Sequence, residues 1–159
     1  MYTCHTTLVT GPTCAGITTI QETLRQVKTL DGIKTTILRI NPKDRPILEL
    51  YSDSNPDTGD WIDGLLSKIF RKLNDNRVKI KDEEKWIIFD GDMFATWIEN
   101  MNSVMDDSKE LTLAADRIKL LPTTNLILES YDLSYSSPAT ISRTGVLNMD
   151  NSLMGFKPY

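Results

Sequence analysis

Short apolar runs alternate along this chain with stretches in which apolar residues recur every three or four positions. Thr6 to Thr10 is β-branched and apolar and stops at Gly11-Pro12, the pattern of a buried strand running into a turn. Ile20, Leu24, Val27 and Leu30 then repeat at helical spacing, with Thr18 or Thr19 placed to cap the helix and Asp31-Gly32 to end it. Thr35 to Ile40 predicts a second strand, halted by Asn41-Pro42. From Asp57, an acidic opening leads into Trp61, Leu65, Leu66, Ile69, Phe70 and Leu73, an amphipathic helix with basic last turns. Asn74 to Lys85 is polar and charged and predicts a solvated loop. Trp86-Ile87-Ile88-Phe89 is a third buried strand, ending in Asp90-Gly91.

A helix is expected around Trp97 to Val104, where Trp97, Met101 and Met105 fall at i, i+4, i+8 and read as packing positions. Leu111 to Leu113 and Ile118 to Leu121 suggest a small hairpin. Leu126-Ile127-Leu128 is a fourth strand with Glu129 at its end. Ser137-Pro138-Ala139-Thr140 opens a short helix that Gly145 closes, and Val146 to Met149 is a last strand. Strands alternating with helices argue for an α/β fold with a mostly parallel sheet and helices on both faces. The Thr6–Thr10 strand is expected to be central, with Trp86–Asp90 beside or near it. A chain of 159 residues fits one domain, and no internal repeat is visible.

Between the first strand and the first helix lies Gly11-Pro12-Thr13-Cys14-Ala15-Gly16-Ile17-Thr18-Thr19. A phosphate-binding loop reads G-x-x-x-x-G-K-[ST] in this setting. Both glycines stand at the right spacing, so the backbone can turn tightly and aim N–H groups at phosphate oxygens. The helix N-terminus adds partial positive charge, and Thr18 offers a hydroxyl to Mg²⁺. The lysine position, however, is Ile17. Losing one charged hydrogen-bond donor costs about 1.5–3 kcal/mol. Asp90, at the end of an apolar strand, stands where a P-loop protein holds Mg²⁺ through water. Many ATPases follow that aspartate with a water-polarising glutamate; here Gly91 follows, and Asp92 sits one position late. Together Ile17 and Gly91 argue against hydrolysis within this chain.

Charge and cysteine count narrow the remaining classes. A net charge of −4 with scattered basic residues gives no footprint for nucleic acid. No apolar run approaches the ~20 residues that span a bilayer, which argues against a membrane role. Cys4 and Cys14 are too few for a disulfide framework, so a reduced, intracellular compartment is expected. One histidine, His5, excludes most zinc and Ser-His-Asp schemes and reads as a polar residue before a strand. Asp106-Asp107 reads as an acidic helix end or loop rather than a metal pair. Arg143, at the end of the short helix, is either a dipole-favoured C-terminal arginine or a finger reaching a neighbour's γ-phosphate.

Asp90-Gly91-Asp92, the run from Trp97 to Lys109 and Leu111-Thr112-Leu113 resemble the dynein heavy chain motor. Within that motor they are most similar to the second of six AAA+ modules. Asn41-Pro42-Lys43, Leu50-Tyr51, Trp61 with Asp63-Gly64-Leu65, Ser137 to Gly145 and Gly155-Phe156-Lys157-Pro158 support the likeness. Nearly the whole chain is covered, and Asn41-Pro42-Lys43 leans towards axonemal types. The resemblance implies residues 1–159 form one degenerate P-loop AAA+ large subdomain, without the helical lid, from a much larger chain. It implies binding of ATP or ADP with Mg²⁺, weakened or lost through Ile17, and no turnover in cis. Arg143 matches the arginine that completes the preceding module's site. Partners would be neighbouring AAA+ modules, and microtubules only through the parent motor. The location would be cytoplasmic and cytoskeletal, in the axoneme of a cilium or flagellum for an axonemal type.

The chain departs from the family where Cys14-Ala15-Gly16-Ile17 replaces a usual glycine, small residue, glycine, lysine. Ser52 replaces a usual glycine and Thr144 a usual cysteine. Phe94 or Ala95 stands where an acidic residue is frequent. Two other readings stay open: an active NTPase or kinase with a displaced lysine, for which Lys43 and Lys157 are candidates, or an interaction domain with an empty pocket.

Overall fold

The structure is a computed structural model that describes residues 6–54, 61–74, 83–113 and 116–150. In chain order its elements begin β1 (Thr6–Thr10), α1 (Ile17–Leu30), β2 (Lys34–Ile40), α2 (Ile47–Tyr51), β3 (Ser52–Ser54), β4 (Trp61–Asp63) and α3 (Leu65–Asn74). They continue as β5 (Glu83–Asp90), α4 (Ala95–Ile98), α5 (Asn102–Met105), β6 (Glu110–Thr112), β7 (Arg117–Lys119), β8 (Thr124–Ser130), α6 (Pro138–Ser142) and β9 (Gly145–Asn148). Among the described residues five strands form one sheet in the order β2-β5-β8-β1-β9, every pair parallel. β1 is interior, and β8 alone separates it from β5. All five strands therefore end on one edge of the sheet, where ligands of open α/β sheets bind.

Side-chain alternation divides the sheet into two faces. Leu8, Ile87, Phe89, Leu126 and Leu128 face a core shared with Leu50 and Tyr51 of α2, Leu66 and Phe70 of α3, and Met93. Trp97, Met101 and Met105 join that core at 3%, 0% and 4% exposure, so they are packing residues. On the other face Thr7, Val9, Trp86 and Ile127 lie against Ile20 and Leu24 of α1 around a groove of about 310 Å³. α1 covers this face loosely: Ile20, Leu24 and Val27 stay nearly half exposed, and its one buried residue is Gln21. Among the described residues no helix is long and apolar enough to cross a membrane.

Five sequence expectations are corrected. Trp61–Asp63 is a strand, not the first turn of a helix: it pairs antiparallel with β3, and Gly64 N–H bonds Tyr51 O at 3.1 Å before α3 begins. Asp57 lies outside the described residues. α1 is capped by Gly16 in left-handed conformation (φ 79°) with no side-chain cap, so neither Thr18 nor Thr19 caps it. The helix expected from Trp97 to Val104 is α4 and α5 with a 3-10 turn over Glu99–Met101 between them. Glu83–Lys85 belongs to β5 because β2 extends far enough to pair with it, Lys34 opposite Glu83. Last, α6 ends at Ser142, and Gly145 opens β9 rather than closing the helix.

Tyr51 shows how α2 is tied to the core. Its hydroxyl donates to Trp97 O at 2.6 Å, and burial pushes the phenol above its ordinary value. An unfolded tyrosine ionises near pH ~10 while the folded one keeps its proton, so this contribution is full below that pH and lost as pH rises past it. Tyr51→Phe removes this buried hydrogen bond and is expected to cost about 0.5–1.5 kcal/mol at neutral pH. Urea unfolding at neutral and alkaline pH checks it: the difference between the two proteins should narrow in alkali. Equal stability at neutral pH would refute it.

Candidate nucleotide site

The turn after β1 is built for close approach. Gly11 N–H bonds Ser130 O at 3.2 Å, tying the loop to β8. A Cβ on Gly11 would stand 2.8 Å from Met149 O, so this glycine is demanded by the segment leaving β9. Gly16 differs: a Cβ there meets nothing within 4 Å, and its left-handed backbone is what requires glycine. Cys14 is also left-handed (φ 68°), and such residues in a turn gather N–H groups into an anion-binding concavity. α1 then starts with no side-chain cap and no acidic residue in its first turn. Its orphan N–H groups and positive dipole end are left uncompensated.

All of Gly11 to Thr19 lines a cleft of about 520 Å³, and Asp90, Gly91, Asp92, Glu129, Ser130 and Tyr131 complete it. The structure thus brings together the nine loop residues and Asp90 singled out from the sequence. Thr18 is exposed at the second position of α1. Cys14 is exposed and free. Cys4, His5 and Lys157 lie outside the described residues.

The carboxylates of the cleft have different partners. Glu129, 11% exposed in its side chain, accepts Arg39 Nη1 at 2.7 Å and Gln21 Nε2 at 2.8 Å. Arg39 Nη2 closes the triangle on Gln21 Oε1 at 2.9 Å. Asp90 remains half exposed, 4.0 Å from the same guanidinium. The one glutamate lining the cleft therefore gives its Oε1 to a cation and an amide together. Among the described residues no three His, Cys, Asp or Glu side chains are gathered for a metal. Asp90 and Thr18 nonetheless offer the hard oxygen donors that suit Mg²⁺ completed by phosphate oxygens.

Gly91 is more than a missing glutamate. A Cβ there would lie 3.2 Å from Asn41 Oδ1, 3.7 Å from Pro42 Cδ and 3.9 Å from Lys43 Cγ. The Asn41-Pro42-Lys43 turn packs beside the place a side chain would take, held by Lys43 N–H donating to Asn41 Oδ1 at 2.9 Å. Lys43 Nζ reaches Asp92 Oδ2 at 2.5 Å.

Arg143 stands apart from this cleft, as the C-cap of α6. Its Nε donates to Asp106 Oδ1 at 2.5 Å and its Nη1 to Ala139 O at 2.8 Å, and a third of the side chain is exposed. Asp106 is the C-cap of α5, which makes it a helix end as expected and also the anchor of the arginine. Sequence reasoning did not single out Gln21, Arg39 or the pairing of Glu129. The available signals were an arginine inside an apolar strand and a carboxylate at a strand's C-terminal end.

No family model matches the chain. It is 49% identical, over its whole length, to the Dynein-1-alpha heavy chain of the flagellar inner arm I1 complex of Chlamydomonas reinhardtii. Over its whole length it is also 47% identical to dynein axonemal heavy chain 10 of Homo sapiens. The dynein beta chain of the flagellar outer arm of Chlamydomonas reinhardtii is 40% identical over 93% of the chain. The chain spans 4%, 4% and 3% of the length of these relatives.

Proposed function

Because this chain belongs to the dynein heavy chain family, with relatives of axonemal type, we propose that it forms the nucleotide-holding core of the motor's second AAA+ module. In this reading the cleft holds ATP or ADP with Mg²⁺ and does not turn it over, and Arg143 serves the preceding module's ATPase site. The observation that carries it is the uncapped, acid-free N-terminus of α1 opening onto the same cleft as Asp90. Backbone N–H groups would take the phosphates, and Thr18 and Asp90 would hold Mg²⁺, which when bound neutralises phosphate charge. Two parts of a hydrolytic site are missing: Ile17 is no cation and Gly91 bears no side chain. Its partners would be the adjoining modules of the same heavy chain, in the axoneme of a cilium or flagellum.

Ile17→Lys tests the loop itself. A lysine at this position adds a charged donor to phosphate, so ATP affinity of the purified chain should rise about tenfold or more in calorimetry. An unchanged affinity would mean that the loop is not shaped for phosphate.

A further inference from the structure

The nucleotide cleft contains an imbalance of charge that its own loop cannot correct. Asp90, Asp92 and Glu129 line it, and Ile17 stands at the loop position where a cation belongs. Arg39 is committed to Glu129 and Gln21. A polyphosphate entering this space meets carboxylates, and Mg²⁺ at Asp90 offsets only part of the repulsion. A lysine stands at the lip. Lys43 crosses Gly91, its Cγ 3.9 Å from where a Cβ would be, and places Nζ against the cleft-lining Asp92. Its side chain is 40% exposed, with the ammonium 4.8 Å from the Phe94 ring centroid.

We propose that Lys43, reaching in from the β2 end of the sheet, supplies the terminal-phosphate cation that Ile17 omits, so that the cleft prefers a nucleoside triphosphate to a diphosphate. An ammonium carries three donors, and Asp92 uses one. Four flexible methylenes let the charge swing from Asp92 to a phosphate while the backbone of Asn41-Pro42-Lys43 stays fixed. Asp92 serves as the parking partner that keeps the lysine at the lip when no triphosphate is present. The absence of a side chain at Gly91 leaves the path open, and a Cβ there would press on Asn41 Oδ1 at 3.2 Å. Placing the cation where other P-loop proteins place a water-activating carboxylate favours holding the triphosphate over cleaving it. This inference rests on the nucleotide reading given under Proposed function.

The purified chain, its Lys43→Met variant and its Asp92→Asn variant are titrated calorimetrically with MgATP and with MgADP. The wild type should prefer ATP. Lys43→Met should lose about tenfold or more in ATP affinity, with ADP changed less than about twofold. Asp92→Asn, which frees the lysine, should tighten ATP. If the wild type binds neither nucleotide, the nucleotide reading falls and this one with it. If it binds ATP and Lys43→Met binds ATP equally, the reading stands and Lys43 is no ligand. A second measurement needs no variant: ATP should shield Lys43 from amine acylation in the wild-type protein, read by mass spectrometry, while exposed Lys34 stays reactive. Equal labelling of Lys43 with and without bound ATP would overturn the proposal.

Discussion

Arg143→Ala in the assembled heavy chain, on the function proposed above, is expected to slow ATP turnover at the preceding module by about a hundredfold or more, leaving this module folded. The γ-phosphate of that neighbour develops charge in the transition state, and a guanidinium brings a rigid, permanently charged fork of donors to it. The geometry suits such a part. Asp106 and the Ala139 carbonyl engage Nε and Nη1, so the planar group is held in one orientation before any partner arrives. A positioned donor loses little freedom on engagement, which is where preorganised electrostatic stabilisation gains its effect. Arg143 is partly exposed and does not line its own cleft, so the fold has little need of it. A partly exposed ion pair of this kind contributes about 0–1 kcal/mol. Steady-state ATPase of the motor should therefore fall in kcat while the thermal unfolding of the module stays put. Arg143→Lys should recover little, because an ammonium lacks the fork. Turnover at the wild-type rate in the alanine variant would remove Arg143 from the site.

Arg39→Met should destabilise the chain by about 2–4 kcal/mol. Glu129 is nearly buried and depends on Arg39 for its counter-charge, with Gln21 as its other partner. Removing the cation leaves a carboxylate that water reaches poorly, and an unpaired charge in that setting costs more than the pair contributed. The partial exposure of Arg39 keeps the figure at the lower end, since solvent screens part of the loss. Denaturant unfolding of the purified chain measures it. Adding Glu129→Gln to the same protein should restore most of the loss, because no charge remains to be orphaned. A cycle in which the two changes simply add would show that the residues do not act as a pair.

The fold was legible where one principle acted alone. Strands buried on both faces read as continuous apolar runs, so β5 and β8 stood out, although β5 is longer than its apolar stretch because pairing with β2 recruits Glu83 to Lys85. The β4 strand was misread because Trp61 falls four residues before Leu65, a helical interval that here spans a strand, a glycine and a helix start. The loop and Asp90 were legible because their chemistry follows a fixed spacing. The Gln21–Arg39–Glu129 triangle was not, because it joins residues from α1, β2 and β8 that only the sheet order brings together. Lys43 was visible as a candidate, but its place depended on the side-chain-free path over Gly91, which no local pattern encodes.

The proposal that this cleft retains a nucleotide without consuming it is tested by titrating the purified chain with MgATP while following phosphate release in the same sample. The proposed function predicts a saturable heat of binding at the uncapped helix start, with phosphate release no faster than in buffer for want of a cation at Ile17 and a carboxylate at Gly91. Steady release of phosphate, or no heat at millimolar ATP, would contradict it.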